Sequence, residues 1–292
     1  MRTILLTGAT GLIGGQVMRL LAGSDRLWAV TSRPDPPTSS GVQWVQADLS
    51  QSGSLSQAHL PERVDAVVHL AQSRHFREFP EASEQIHQVN VASTLELLNC
   101  ARKLGASTFV YASSGGVVGH KDGPILESDP PCPSNFYQLS KLHGEQVVQS
   151  FSSFFSTIIL RYFFVYGPRQ KGMLIPNLLE SVRNGRPITI YNGRGIRLNP
   201  IHVRDAARAT VRALELSGAQ LLNVAGDQIV SIQDLATQCG ALLGREPLYQ
   251  TAQDPRMGDL VADTQQMREH LIHPEVPLSR GLSELLESPC RL

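Results

Sequence analysis

Gly8, Gly11 and Gly14 recur at every third position between a short apolar run at 4–6 and a stretch over 14–21 that reads as a helix. Each glycine answers a different steric demand of one strand–turn–helix unit. The first permits a tight turn, the second lets backbone approach a pyrophosphate, and the third lets helix and strand pack closely. The exposed N–H groups of Thr10, Gly11, Leu12, Ile13 and Gly14, together with the dipole of the helix they open, favour an anion there. No Gly-Lys-Ser/Thr triplet follows, which argues against a nucleoside-triphosphate loop. The turn is shaped for the diphosphate of a dinucleotide.

The same rhythm continues through the first half of the chain. Residues 27–31, 42–45, 65–70, 108–112 and 157–164 read as strands, and helices are expected around 84–104 and over 137–149. Strands alternating with long helices form a parallel sheet with right-handed crossovers. Beyond Gly167-Pro168 the rhythm breaks, and Gly185, Pro187, Gly193, Gly195 and Pro200 punctuate short elements. The expected organisation is an α/β chain with a doubly wound parallel sheet over 1–164, to which 201–225 returns. A smaller C-terminal substrate lobe is expected from 165–200 and 226–292. There is no internal repeat, and 292 residues bury enough apolar surface to need no disulfide staples.

Charge excludes other classes. The 26 basic and 26 acidic side chains cancel, and no basic run marks a nucleic-acid surface. Cys100, Cys132, Cys239 and Cys290 are scattered, without a C-x-x-C pair or a histidine at metal-ligand spacing, so free thiols and no metal site are expected. The first glycine comes too early for a signal peptide, and no apolar run approaches the ~20 residues of a membrane span. A cytoplasmic protein without a membrane partner is the expectation.

The end of the second strand speaks to the dinucleotide. An acid there binds the ribose 2′-hydroxyl of NAD, whereas a basic side chain accommodates the 2′-phosphate of NADP. This chain has Ser32 and Arg33, with no acid to repel a phosphate and several donors to receive one. The reading is NAD(P), leaning to NADP.

Tyr137 and Lys141 stand four residues apart and share one face of a helix. A free phenol has a pKa of about 10, and a neighbouring ammonium is expected to lower it. The lysine can also bond ribose hydroxyls and fix the nicotinamide beside the phenol. Ser113 and Ser114 follow the strand over 108–112, at the sheet end where α/β proteins bind ligands. A serine there can hydrogen-bond the substrate oxygen on which the tyrosine acts.

With the glycine turn, the strand-end serine and the Tyr/Lys helix in order, the chain resembles the extended short-chain dehydrogenase/reductase family, also called the NAD-dependent epimerase/dehydratase family. The resemblance implies a Rossmann-type fold and spans nearly the whole length. Ala47-Asp48-Leu49 is similar to the family's adenine-contacting segment, and His69-Leu70-Ala71-Gln72 to its H-L-A-A strand end against the cofactor. Asn90 matches the helix asparagine that supports the active site, and Ser114, Tyr137 and Lys141 match the catalytic residues. The run Arg161 through Arg169 resembles R-Y-F-N-V-Y-G-P-R, in which the phenylalanine, here Phe163, touches the nicotinamide side. Ile201-His202-Val203-Arg204-Asp205 resembles I-H-V-x-D, and Asn223-Val224-Ala225-Gly226 with Ser231-Ile232 resembles N-V-G-x-G…S-I. A homodimer, through the helices around Asn90 and Tyr137, is implied by the same likeness.

Departures from the pattern bear on the reaction. The family's dehydratases carry Asp-Glu after the catalytic threonine, whereas Gly115 and Gly116 stand here, which disfavours a 4,6-dehydratase. The asparagine that helps hold a nucleotide-sugar diphosphate is Phe164, and the arginine of the later signature is shifted to Arg197, with Arg194 nearby. Arg74 and His75 follow the His69 strand end, and His75 is a candidate second acid or base for an epimerase. His120 and His202 are no stronger candidates. The expected function is NAD(P)-dependent hydride transfer at a hydroxyl or keto carbon, as epimerase or ketoreductase, on a nucleotide-activated sugar. The alternatives are an NADPH-dependent reductase of a non-nucleotide carbonyl compound, favoured by Phe164, and a non-catalytic cofactor-sensing protein.

Overall fold

The computed structural model describes residues 1–37, 41–254 and 258–287. Cys290 lies outside the described residues; Cys100, Cys132 and Cys239 are free thiols. In chain order the first part comprises β1 (Thr3–Thr7), α1 (Leu12–Leu21), β2 (Arg26–Thr31), β3 (Val42–Gln46), α2 (Ser54–Gln57), β4 (Ala66–His69), α3 (Ser83–His87), α4 (Ser93–Lys103), β5 (Thr108–Ser114), α5 (Phe136–Gln149) and β6 (Ser156–Tyr162). There follow α6 (Leu174–Arg183), β7 (Ile188–Tyr191), β8 (Arg197–Leu198), α7 (Val203–Ala213), β9 (Ala219–Val224), β10 (Val230–Ser231), α8 (Ile232–Leu243), β11 (Tyr249–Ala252), α9 (Gln265–His270) and α10 (Leu278–Glu287).

Seven strands form one parallel sheet in the order β3-β2-β1-β4-β5-β6-β9. The order reverses direction between β1 and β4, as in Rossmann-type folds. β4, β5 and β6 are almost continuously buried because both faces of the sheet are covered, which is why they read as unbroken apolar runs. Leu6, Val68 and Val110 pack with Val17 of α1 and with Ala206, Ala209 and Ala213 of α7. Their neighbours Leu5, Val67 and Phe109 point the other way, onto Leu97, Leu98 and Ala101 of α4 and Val148 of α5. A further core joins α6, β7, α8 and α10 through Ile175, Leu178, Ile190, Leu235 and Leu282. No helix among the described residues is long and apolar enough to cross a membrane.

Two element boundaries differ from the sequence expectation for identifiable reasons. The helix expected over 84–104 is interrupted by a π-helical turn, Gln88–Ala92, between α3 and α4. Hydroxyls just beyond the turn stabilise it: Ser93 Oγ donates to the Val89 carbonyl at 2.7 Å and Thr94 Oγ1 to the Asn90 carbonyl at 2.9 Å. The strand expected to reach residue 164 stops at Tyr162, since Phe164 adopts a left-handed φ of 45° that no strand continues through.

Helix α5 lies so close to the sheet that Gly144 has no room for a side chain. A Cβ there would stand 2.0 Å from the Tyr111 hydroxyl and 3.2 Å from the Asn90 carbonyl. Alanine is the better helix former by about 1 kcal/mol, yet Gly144→Ala should destabilise the protein by about 1–3 kcal/mol through overpacking. Urea unfolding checks this, and the companion change Tyr111→Phe should restore part of the loss.

Candidate active site

A cleft of about 650 Å³ opens over the C-terminal ends of β1, β2 and β4, at the reversal in strand order. Gly8, Thr10 and Gly11 line it centrally; Ser32, Arg33, Asp48 and Leu49 line one flank, and Leu70, Ala71, Gln72, Arg74 and His75 the other. Leu12, Ile13 and Gly14 form the first turn of α1 behind Gly11. Gly8 has φ +71°, and a Cβ there would lie 2.7 Å from the Leu70 carbonyl carbon; at Gly14 it would lie 2.1 Å from the Gly8 carbonyl oxygen. These two glycines close the turn on itself. At Gly11 a Cβ would meet only the Gly8 oxygen, at 3.1 Å, so this residue leaves its space to the cleft. Helix α1 has no side-chain N-cap and no acid in its first turn, so its leading N–H groups lack side-chain partners. Uncapped amides, open space at Gly11 and polar side chains on one flank fit a dinucleotide.

Ser114, Tyr137 and Lys141 come together at the end of β5. The Tyr137 hydroxyl donates to Gln72 Oε1 at 3.0 Å, and its ring lies 5.0 Å from that of Phe76. This places the phenol at the Gln72 flank of the cleft. Ser114 Oγ accepts the Gly116 N–H at 3.2 Å. Lys141 is 2% exposed, and its Nζ donates to the Ala112 carbonyl at 2.8 Å. The expected lowering of the phenol pKa by Lys141 does not occur. Burial pushes Tyr137 up to about 12, opposed by a hydrogen bond with Ser114. Burial likewise pulls Lys141 down to about 8, opposed by the Glu145 charge.

Polar residues, among them Thr7, Ser73, Thr94 and Ser140, which carried no sequence motif, tie this group to the glycine turn. The Ala71 N–H donates to Thr7 Oγ1 at 3.2 Å, and Thr7 Oγ1 lies 2.6 Å from His69 Nδ1. His69 Nε2 lies 2.9 Å from Thr94 Oγ1, whose own proton goes to the Asn90 carbonyl. Nε2 must therefore be the protonated nitrogen and Nδ1 the acceptor of the Thr7 hydroxyl. Burial, then the Lys141 charge, holds His69 down at about 3, so the ring is neutral. The Asn90 side chain accepts the Ser73 N–H at 2.9 Å and donates to Ser140 Oγ at 2.9 Å, and Ser140 Oγ donates to the Tyr137 carbonyl at 2.7 Å. Asn90 is 1% exposed, and its side chain braces the segments at Ser73 and Ser140. Behind Lys141, Glu145 is buried in a bidentate pair with Arg161. Its signal in the sequence was an acid one helical turn past Lys141 on a face otherwise facing the sheet.

The remaining expected site residues disperse. Phe163 is 1% exposed and packs with Val118, Ile125, Ala225, Leu260 and Ala262. Its ring fills the space over Gly115, where a Cβ would lie 2.3 Å from it. The expected nicotinamide contact of Phe163 is therefore revised: apolar burial draws the ring into the wall behind Ser114. Phe164 packs between that cluster and the core that joins α6, β7, α8 and α10. Arg197 is held by Asp259 through Nε at 2.7 Å and Nη2 at 2.6 Å, and Arg194 approaches the same carboxylate at 3.6 Å. Neither arginine lines the main cleft; Arg194 lines a smaller one of about 180 Å³ with Asp122, Tyr191 and Asn192. His75 pairs with Glu78 at 2.9 Å on the exposed rim. His120 bonds the Gly258 carbonyl, and His202 is the N-cap of α7.

Residues 4–225 match the NAD dependent epimerase/dehydratase family. A Streptomyces dTDP-4-dehydro-6-deoxy-D-allose reductase is 30% identical, covering 97% of this chain and 94% of its own. A mouse dTDP-D-glucose 4,6-dehydratase is 26% identical over 98% of this chain and 88% of its own. The crystal structure of a Bacillus cereus UDP-glucuronic acid 4-epimerase, in complex with UDP-glucuronic acid and NAD, superposes with a TM-score of 0.85 at 25% identity over 98% of both chains. The glycine turn, the sheet order and the match over most of the length agree: the chain belongs to the NAD-dependent epimerase/dehydratase family.

Proposed function

We propose that this protein is an NAD(P)-dependent oxidoreductase or epimerase acting at a hydroxyl or keto carbon of a nucleotide-activated sugar, with Tyr137 as its acid/base. The observation that carries this reading is the convergence of Tyr137, Ser114 and Lys141 at the end of β5, next to a cleft whose floor is the glycine turn. A bound NAD(P) supplies the hydride donor or acceptor. Tyr137 moves the proton at the substrate oxygen, which takes the place that Gln72 Oε1 holds on the phenol. The Ser114 hydroxyl bonds the same oxygen and stabilises charge developing on it. Lys141 spends one N–H on Ala112 and has two more for ribose hydroxyls. Elimination of water is disfavoured, because Gly115 offers no acid and the Phe163 ring fills the room a side chain would need.

A second reading, a reductase of a non-nucleotide carbonyl compound, is favoured by Phe164 and by the engagement of Arg197 with Asp259. Both remove groups that would grip a diphosphate. Supplying reduced cofactor with nucleotide-activated keto-sugars and, separately, with simple ketones distinguishes the two. Turnover confined to the simple ketones would overturn the sugar-nucleotide reading.

Tyr137→Phe should lower turnover of the accepted substrate by about 10²–10⁴-fold, and an unchanged rate would remove Tyr137 from the proton transfer. The difference in absorbance at 295 nm between the protein and Tyr137→Phe should show no phenolate from Tyr137 at neutral pH, in keeping with its raised pKa. Gly11→Val should weaken cofactor binding by more than about tenfold, since the added side chain occupies the diphosphate's approach. For the NADP preference, Arg33→Ala should raise the Kd for NADP(H) by about tenfold and leave that for NAD(H) nearly unchanged. Equal losses for both would withdraw it.

A further inference from the structure

Behind the phenol lies a buried charge cluster that the reaction as described does not use. Glu145 and Arg161 are each 2% exposed. Arg161 donates through Nε and Nη2 to the two carboxylate oxygens at 2.9 and 2.7 Å, and Ser113 Oγ donates to Oε1 as well. Lys141 lies one helical turn before Glu145 on α5, also 2% exposed, with its ammonium on the Ala112 carbonyl. Two buried cations thus share one anion, an arrangement that burial disfavours unless each charge has a defined partner. The titratable groups around Lys141 come from its own helix and from three strands of the sheet. They are Tyr137 and Glu145 on its own helix, Tyr111 of β5 with its ring 5.2 Å away, His69 of β4, and Arg161 of β6 across Glu145. Of these, only Glu145 carries a carboxyl group; His69 is neutral, and burial raises both phenols.

We propose, resting on the functional reading above, that Glu145 is a positioning residue: clamped by Arg161 and Ser113, its carboxylate is the counter-charge that keeps the Lys141 ammonium protonated and seated on the Ala112 carbonyl beside Tyr137. Geometry sets the direction of the effect. The carboxylate is a turn away from the ammonium on the same helix, whereas Arg161 engages its two oxygens from β6. Removing Glu145 leaves Lys141 among uncharged groups and a second cation. Removing Arg161 leaves the carboxylate free to act on Lys141 alone.

Stability against pH reads this without any substrate. The folded-state pKa of Lys141 is lowered to about 8 from 10.5. Above about 8 the unfolded chain holds a proton that the folded one lacks, so stability relative to a Lys141→Met reference rises with pH toward 10.5. In Glu145→Gln the onset of this rise should move down by about one pH unit, and in Arg161→Gln it should move up. Glu145→Asp keeps the charge and should restore most of the native onset. Where a single variant fails to fold, the double variant E145Q/R161Q removes the guanidinium together with the carboxylate it pairs with, and its onset should still move down because Lys141 loses its counter-charge. The alkaline limb of kcat should shift with the onset. An onset that stays put, or moves the same way in E145Q and R161Q, overturns the proposal, because a merely structural pair would lower stability without moving it. If no nucleotide sugar or ketone is turned over, the functional reading fails while the onset still reports whether Glu145 and Lys141 are coupled.

Discussion

The contact between Gly14 and the Gly8 carbonyl, and that between Gly8 and the backbone at Leu70 and Ala71, fix how α1 meets the sheet. With backbone against backbone, no side chain can be inserted without opening the turn. The first helix is thereby pinned over the gap between β1 and β4, and its uncapped amides face the cleft. Thr7, just before the turn, ends β1 with its hydroxyl between the Ala71 amide and His69. The glycine turn and the start of the bracing network are therefore one local structure.

From Thr7 the network runs through His69, Thr94 and Asn90 to Ser140 and the backbone of Tyr137. Each member is a neutral hydroxyl, amide or imidazole. Because burial holds His69 uncharged, the tautomer and the direction of each bond persist across neutral pH. The π-helical turn is what lets α3 and α4 present both the Asn90 carbonyl and its side chain to this network. Charge is kept to the neighbouring cluster of Lys141, Glu145 and Arg161, apart from the neutral groups that brace the Tyr137 backbone.

Much of this was legible in the sequence. The glycine spacing and the alternation of apolar runs with helices specify the parallel sheet, since both follow from backbone sterics and burial on two faces. Ser114, Tyr137 and Lys141 could be placed on one sheet end because helical spacing and strand order determine it. The dispersal of Phe163 and Arg197 was not legible, as it depends on partners distant in the chain: Leu260 and Ala262 for the ring, Asp259 for the guanidinium. Nor was the split in the helix around Asn90, where Ser93 and Thr94 hydroxyls compete with the backbone ladder. The pKa of Tyr137 also departs from sequence reasoning. Spacing reveals that a lysine is near, but the degree of burial decides which influence wins.

The path of the chain between its two halves has a bearing on how such a protein diversifies. After β6 it leaves the sheet for α6, β7 and β8, returns through α7 and β9, and leaves again for β10 and α8. Strand β9 completes the sheet edge beside β6, and α7 buries its alanine face against α1. No single cut separates the upper core from the lower, so the upper part cannot be exchanged as a block without removing a strand and a helix from its neighbour. New specificity in a chain wired this way has to arise by replacement in situ, one side chain at a time. Phe164, wedged where the two cores meet in a left-handed backbone conformation, stands at a position where a single side chain touches both cores.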